Sequence, residues 1–189
     1  MAELGHGLQG NGVARTCLVL GGAKCLWDDI STVFDMMTPE GTIAVNDAIA
    51  HYAQPLTMAV TLHHEKMPAW REQRARNGFA PALEHIGHEM APGIDRAIDY
   101  RFPGMTGSGS SGLFAVKAAI EAGFDRIVLA GVPMDPKQAH FFDAKQWHEF
   151  MSFLPGWENA MPHIRHRVRS VSGWTKKMLG EPTSAWLNG

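Results

Sequence analysis

Four short runs of apolar, β-type residues, each stopped by glycine or by polar residues, constrain this chain more than any other feature. They are "TCLVLGG" at 16–22, "GTIAVNDAIA" at 41–50, "PLTMAVTLHH" at 55–64 and "RIVLAG" at 126–131. Runs this short and this uniformly apolar suit strands buried on both faces, as in parallel sheets. Helical material lies between several of them. In "DDISTVFDMM", Asp28 or Asp29 can cap a helix start, and Ile30, Val33, Phe34 and Met37 follow at helical spacing. In "SSGLFAVKAAIEAGFD", Leu113, Val116 and Ile120 form one stripe, Lys117 and Glu121 share the outer face, and Gly123 stands where a helix ends. The coarse order β-α-β-β-α-β-α-β predicts an α/β, Rossmann-like, doubly wound and mostly parallel sheet with helices on both faces.

The chain has 189 residues, enough for one domain, and its 45% hydrophobic and 19% charged residues exclude a disordered chain. We read 1–15 as a flexible N-terminal arm and 16–189 as a single domain, with an irregular excursion or lid at 65–105 that holds a short helix near 68–76. The stretch "PKQAHFFDAKQWHEFMSFLPGWENA" reads as a loop, and "RHRVRSVSG" as a final strand. No apolar run reaches the length of a membrane span, and the first residues lack the basic and apolar regions of a signal peptide. With two cysteines, Cys17 and Cys25, a disulfide framework is not expected, and a reducing cytoplasm is the simplest setting. A net charge of −2 gives no general drive toward nucleic acid. The basic stretch "HIRHRVRS" fits a solvated strand edge or a local phosphate-facing patch. Trp147, Trp157, Trp174 and Trp186 are expected to serve packing, and the tail after Trp174 to fray or to support a homo-oligomer.

Ligands of open parallel sheets bind beyond the carboxyl ends of the strands. That rule gathers Gly21 and Gly22, Asn46 and Asp47, His63 and His64, the loop Ser108, Gly109, Ser110, Ser111, and the segment from Pro133 to His140, with Gly131 just before it. Glycines admit close backbone approach, and the first amides of a helix point at an anion. Ser110 and Ser111 therefore suit a phosphate or carboxylate, or else act as ordinary helix caps. Asn46 offers both donor and acceptor to a nucleotide, though turn chemistry also accounts for it. Lys24 faces a phosphate or solvent. His140 follows a strand end by a short loop and is the candidate general base, since imidazoles titrate near neutral pH. The pairs His85/His88 and His163/His166 have helical spacing, but no HExxH or CxxC accompanies them, and no metal is assigned. Neither a Walker A motif nor GxGxxG is present. Cys25 is read as a small buried hydrophobe, the alternative being a thiol activated by a helix start.

"SSGLFAVKAAIEAGFDRIVLAGVPMD" resembles a segment shared by the bacterial sialyltransferases of glycosyltransferase family 42 and the 6-hydroxymethylpterin diphosphokinase-like proteins. "CLVLGGAKCLWDDI" is similar to their first strand and loop, and "TIAVNDAI" to their second strand, so three blocks match in order across 16–135. The resemblance implies a Rossmann-like domain holding a nucleotide or nucleotide-activated donor, with contacts from Gly21, Gly22, Asn46, Ser110, Ser111 and Gly112. His140 is its candidate catalytic histidine. The chain departs from the pattern at Gly22-Ala23-Lys24, where a phosphate-binding asparagine is missing, and at Pro133, which replaces an acidic residue. The expectation is a glycosyl- or diphosphoryl-transferase with a nucleotide or nucleotide-sugar donor, an unspecified acceptor and no further cofactor. Two alternatives remain: a non-catalytic nucleotide-binding sensor, and a nucleotide-processing hydrolase using His63 or His64 with Asp47.

Overall fold

In a computed structural model, which describes residues 14–143 and 149–189, the apolar runs form one seven-stranded, wholly parallel sheet. The strands are β1 (Thr16–Leu20), β2 (Gly41–Val45), β3 (Met58–Val60), β4 (Glu84–Gly87), β5 (Arg96–Ala97), β6 (Arg126–Ala130) and β7 (Val168–Ser170), in the spatial order β5-β4-β3-β2-β1-β6-β7. The chain winds outward from β1 to β5, then returns to place β6 on the other side of β1. The order therefore reverses between β1 and β6, and that switch point is where a doubly wound sheet leaves a crevice.

Alternation along β1 shows how the two faces fill. Cys17 and Val19 join the core beneath α4 (Ser110–Glu121) and α5 (Phe150–Ile164), where Phe114 and Trp157 are buried. Leu18 and Leu20 join the opposite core with α1 (Leu26–Phe34), α2 (Ala48–His51) and α3 (Met67–Arg76). Two short helices, α6 (Gly173–Leu179) and α7 (Ser184–Asn188), close the chain. Helices thus cover both faces, as the α/β reading requires.

The stretch 65–105 differs from the irregular excursion expected. The helix expected near 68–76 forms, as α3, but it is followed by β4 and β5, which extend the sheet at its edge. Its sequence hides this because β4 pairs two polar residues with internal partners. His85 is buried, with its ring Nδ1 2.7 Å from Asp95, and Glu84 meets Arg96 at 2.6 Å. The stretch 136–160 also differs, since its second half is the start of α5. Pro155 and Pro162 disguise that helix, because each removes one N–H from the ladder. The carbonyls left without that donor belong to Met151 and Glu158, both on the exposed side.

The tail is fastened as well. Leu187 enters the core, and the Trp186 ring is covered by Arg126 and Arg169, whose guanidinium carbons lie 5.3 and 4.9 Å from its centroid. Two basic side chains therefore have structural work there. Residues 1–13 of the expected arm lie outside the described residues, as does Trp147. Arg15 is anchored, its N–H donating to Asp125 at 3.0 Å and its guanidinium lying over Phe124. Among the described residues, no helix is long and apolar enough to cross a membrane.

Candidate functional site

The crevice at the switch point is a cleft in two connected parts. The inner part, about 550 Å³ of empty space counted to its mouth, is lined by Gly21 and Gly22 from the end of β1, by Val45 and Asn46 from the end of β2, and by Gly131 after β6. Ser110, Ser111 and Gly112 at the start of α4 complete its floor, with His140 at its far side. The outer part, about 1230 Å³ on the same measure, shares Asn46, Ser110, Ser111 and His140 and adds His63, His88, Tyr100 and Ser108. Discounting space open to solvent, the inner part holds about 90 Å³ and the outer part about 640 Å³, so it is the outer part that has the size of a small-molecule site.

Its construction begins with glycine. A Cβ on Gly21 would meet the Gly131 carbonyl oxygen at 2.2 Å, so β1 and β6 can leave the sheet side by side only without a side chain there. Asp29, buried on α1, locks this pair of loops. Its Oδ2 accepts from the Gly131 N–H at 2.8 Å, from the Ser172 hydroxyl at 2.6 Å and from the Cys25 thiol at 3.4 Å. The sequence reading took Asp28 or Asp29 for a helix cap. Instead, Cys25 occupies the cap position without a side-chain bond to the helix backbone, and Asp29 reaches across to another strand end. Burial and the Asp29 charge outweigh the Ser172 hydrogen bond and push the Cys25 thiol up to about 12, so it is no activated nucleophile.

Asn46 is held at φ 52°, a region that few non-glycine residues occupy. The Thr61 hydroxyl accepts from the His63 N–H at 2.8 Å and gives its own proton to Asn46 Oδ1 at 2.7 Å. Asn46 Oδ1 is thereby engaged within the protein, and the residue lines both parts of the cleft. At α4 the cap position is Gly109, with no side-chain cap. Ser110 takes φ 79° and donates its N–H to Ser108 Oγ, while Ser111 Oγ accepts from the Leu62 N–H at 3.1 Å. Neither serine acts as the ordinary cap the sequence allowed. The first amides of α4 have no carbonyl of their own helix to bond, and they begin at the cleft floor.

The third wall is the segment after β6. Its backbone pairs antiparallel with the first loop: the Lys24 N–H donates to Ala139 O at 2.8 Å and the Phe141 N–H to Gly22 O at 3.0 Å. His140 is thereby set against Gly22, with its Nδ1 3.2 Å from the Gly22 carbonyl oxygen and its ring stacked on Phe142. A carbonyl only accepts, so Nδ1 is the donor of this hydrogen bond. Met134, at φ 48°, lies on the same segment. Asn46, Ser110 and Met134 are the non-glycine residues of positive φ among the described residues, and all three line the inner cleft. Strained backbone confined to one cavity is characteristic of functional sites.

Several expected residues stand elsewhere. Asp47 turns away from the cleft and accepts from Trp70 Nε1 at 3.2 Å. Lys24 is exposed and contributes only backbone. Gly109 lies under Leu113 and lines neither part. His63 reaches the outer rim with an exposed ring, whereas His64 is drawn to Glu89 at 3.0 Å. The combination of His63 or His64 with Asp47 is therefore not assembled. His85 is spent inside the sheet, so the helical pairing of His85 with His88 does not exist. Gly156 and Asp29 shape the site and were missed. Gly156 sits where a Cβ would meet Ser108 O at 2.6 Å, so α5 presses directly on the serine loop.

Compared with known proteins, the chain matches no family model, no curated protein and no solved structure.

Proposed function

We propose that this protein is a transferase that takes its group from a nucleotide-activated donor held in the switch-point cleft. The supporting observation is the convergence of Gly22, Asn46, Ser111 and His140 on one cavity from four separated stretches of chain. The amides and hydroxyls at the start of α4 suit the donor's phosphates, and the Asn46 NH2 suits an oxygen of the nucleotide. The His140 imidazole suits the proton of an acceptor hydroxyl. In the reaction, the acceptor oxygen bonds to the transferred carbon or phosphorus. The bond from that atom to the leaving phosphate oxygen breaks, and the acceptor proton passes to His140. The charge growing on the leaving phosphate is met by the α4 amides.

A second reading, a binding module without turnover, is favoured by one feature. Among the described residues no lysine or arginine lines either part of the cleft, and Asp135 contributes a carboxylate to the inner part. Leaving-group charge would then have only amides and hydroxyls to stabilise it. Calorimetric titration with a panel of nucleotides and nucleotide sugars tests both readings, and silence with every ligand at millimolar concentration sinks both. The His140→Ala variant separates them. Under the transferase reading its turnover drops about 100- to 10,000-fold, the usual worth of general base catalysis, with affinity little changed. A wild-type protein that binds without turnover leaves the module.

A further inference from the structure

We infer that His64, His88 and Glu89 form a binding site for a divalent first-row transition cation, zinc being the best match, at the edge of the outer cleft. This goes beyond the proposed function and stands whether or not a nucleotide binds.

The three residues come from neighbouring strand ends. His64 opens the 3-10 turn that follows β3, and His88 and Glu89 follow β4, which pairs with β3. One ligand atom from each lies within 4.8 Å of the other two. Around a tetrahedral zinc the ligand atoms stand about 3.4 Å apart, from bonds of about 2.1 Å, so small side-chain rotations close the set. His64 Nε2 and Glu89 Oε1 are already 3.0 Å apart, and the two imidazoles lie 5.1 Å apart between centroids.

A simple ion pair between His64 and Glu89 leaves something unexplained. The Nδ1 atoms of both His64 and His88 are buried and have no hydrogen-bond partner. A buried imidazole nitrogen without a partner is costly, and here two occur side by side. A cation bound by His88 Nδ1 satisfies that atom, and the same holds for His64 once its ring turns over to bring Nδ1, in place of Nε2, to the side of Glu89. Two imidazoles and one carboxylate form a borderline donor set suited to zinc or its neighbours, and not to calcium or magnesium, which prefer oxygen.

Three protein ligands leave a coordination position for water or an anion oxygen. His88 lines the outer cleft with Asn46, Ser111 and Tyr100, and its ring meets Tyr100 edge-on at 5.9 Å. The cation would therefore bring positive charge to a cleft in which the described residues supply no lysine or arginine.

The test is calorimetric titration of the chelator-stripped full chain with zinc chloride, with no nucleotide present. It is followed by cobalt(II) titration read by visible absorption. One zinc per chain is expected, with cobalt bands of a low-coordinate nitrogen–oxygen site. Substituting groups that merely orient metal ligands costs about 10–100-fold in affinity, so Glu89→Gln and His88→Asn should each cost at least about tenfold. Glu89 is largely exposed, so its variant tests the site even where a histidine variant fails to fold. Absence of one-to-one binding overturns the inference. So does zinc binding that Glu89→Gln leaves unchanged, the metal then resting on other members of the ten histidines.

Discussion

Asn46 combines a conformational cost with a chemical duty, and the two can be separated by substitution. Its φ of 52° suits glycine better than any side chain, while under the proposed function its side chain, which lines the cleft, meets the nucleotide. Asn46→Gly should therefore leave the melting temperature unchanged or raised, since it relieves the backbone. It should also weaken nucleotide binding by about tenfold, the worth of roughly one hydrogen bond, measured by calorimetry. Equal losses in both quantities would show that the residue only builds the turn. His85 and Asp95 give a second expectation. Burial, which dominates, together with Arg71 and Arg74, holds His85 below its usual range despite the neighbouring Asp95 carboxylate, so the folded protein keeps this ring neutral. Asp95 is itself held low, chiefly by its hydrogen bond from His85. For both groups the unfolded chain binds protons more readily, so stability is complete above about pH 6.5, the histidine reference value. It falls progressively as pH drops below that value. Urea midpoints should accordingly decline between pH 7.5 and 5.5, and less so in His85→Asn. Glycines and the asparagine at strand ends were legible in the sequence because turns demand particular residue types. Asp29 was not, since its partners Gly131 and Ser172 stand 102 and 143 residues further along the chain and leave no local pattern.

Among elements, α5 shows why part of the site could not be read in advance. Proline and glycine at 155 and 156 made the first part of this helix read as the end of the loop 136–160, yet Gly156 is what lets the helix lie against Ser108 and Gly109. Gly156→Ala should push the helix off the serine loop, destabilise the fold by about 1–3 kcal/mol as overpacking does, and weaken nucleotide binding at the same time. Chemical denaturation and calorimetry check the pair, and a stable variant with intact affinity would detach α5 from the site. Strand β4 was hidden for a related reason. Its polar residues are satisfied by partners about ten residues away, which a period-two apolar pattern cannot reveal. Helix α3 was legible as a helix, but not the role of Arg74. That side chain is buried and donates to the carbonyls of Ile49, Tyr52, Gln54 and Ala80. Arg74→Met should cost at least about 3 kcal/mol, because several buried acceptors lose their donor together. By contrast β1, β2, β3 and β6 were plain, because each buries both faces and stops abruptly.

For the molecule as a whole, the sheet order decides where function can reside. Winding outward from β1 and then returning to β6 brings two glycine-bearing loops together, and the helix that makes the return, α4, delivers its first amides to the same place. The sequence showed the pieces in order along the chain; the sheet order that joins them rests on long-range pairing, which no local stretch encodes. The central claim is that these strand ends act as one anion-gripping site. It is tested most directly by following the backbone amides of Gly22, Asn46, Ser111 and Gly112 in nitrogen-15 NMR spectra as a nucleoside diphosphate is added. The account predicts that all four shift together along one saturation curve with a single Kd. Amides that stay still at millimolar ligand, or that respond along separate curves while residues elsewhere move, would contradict it.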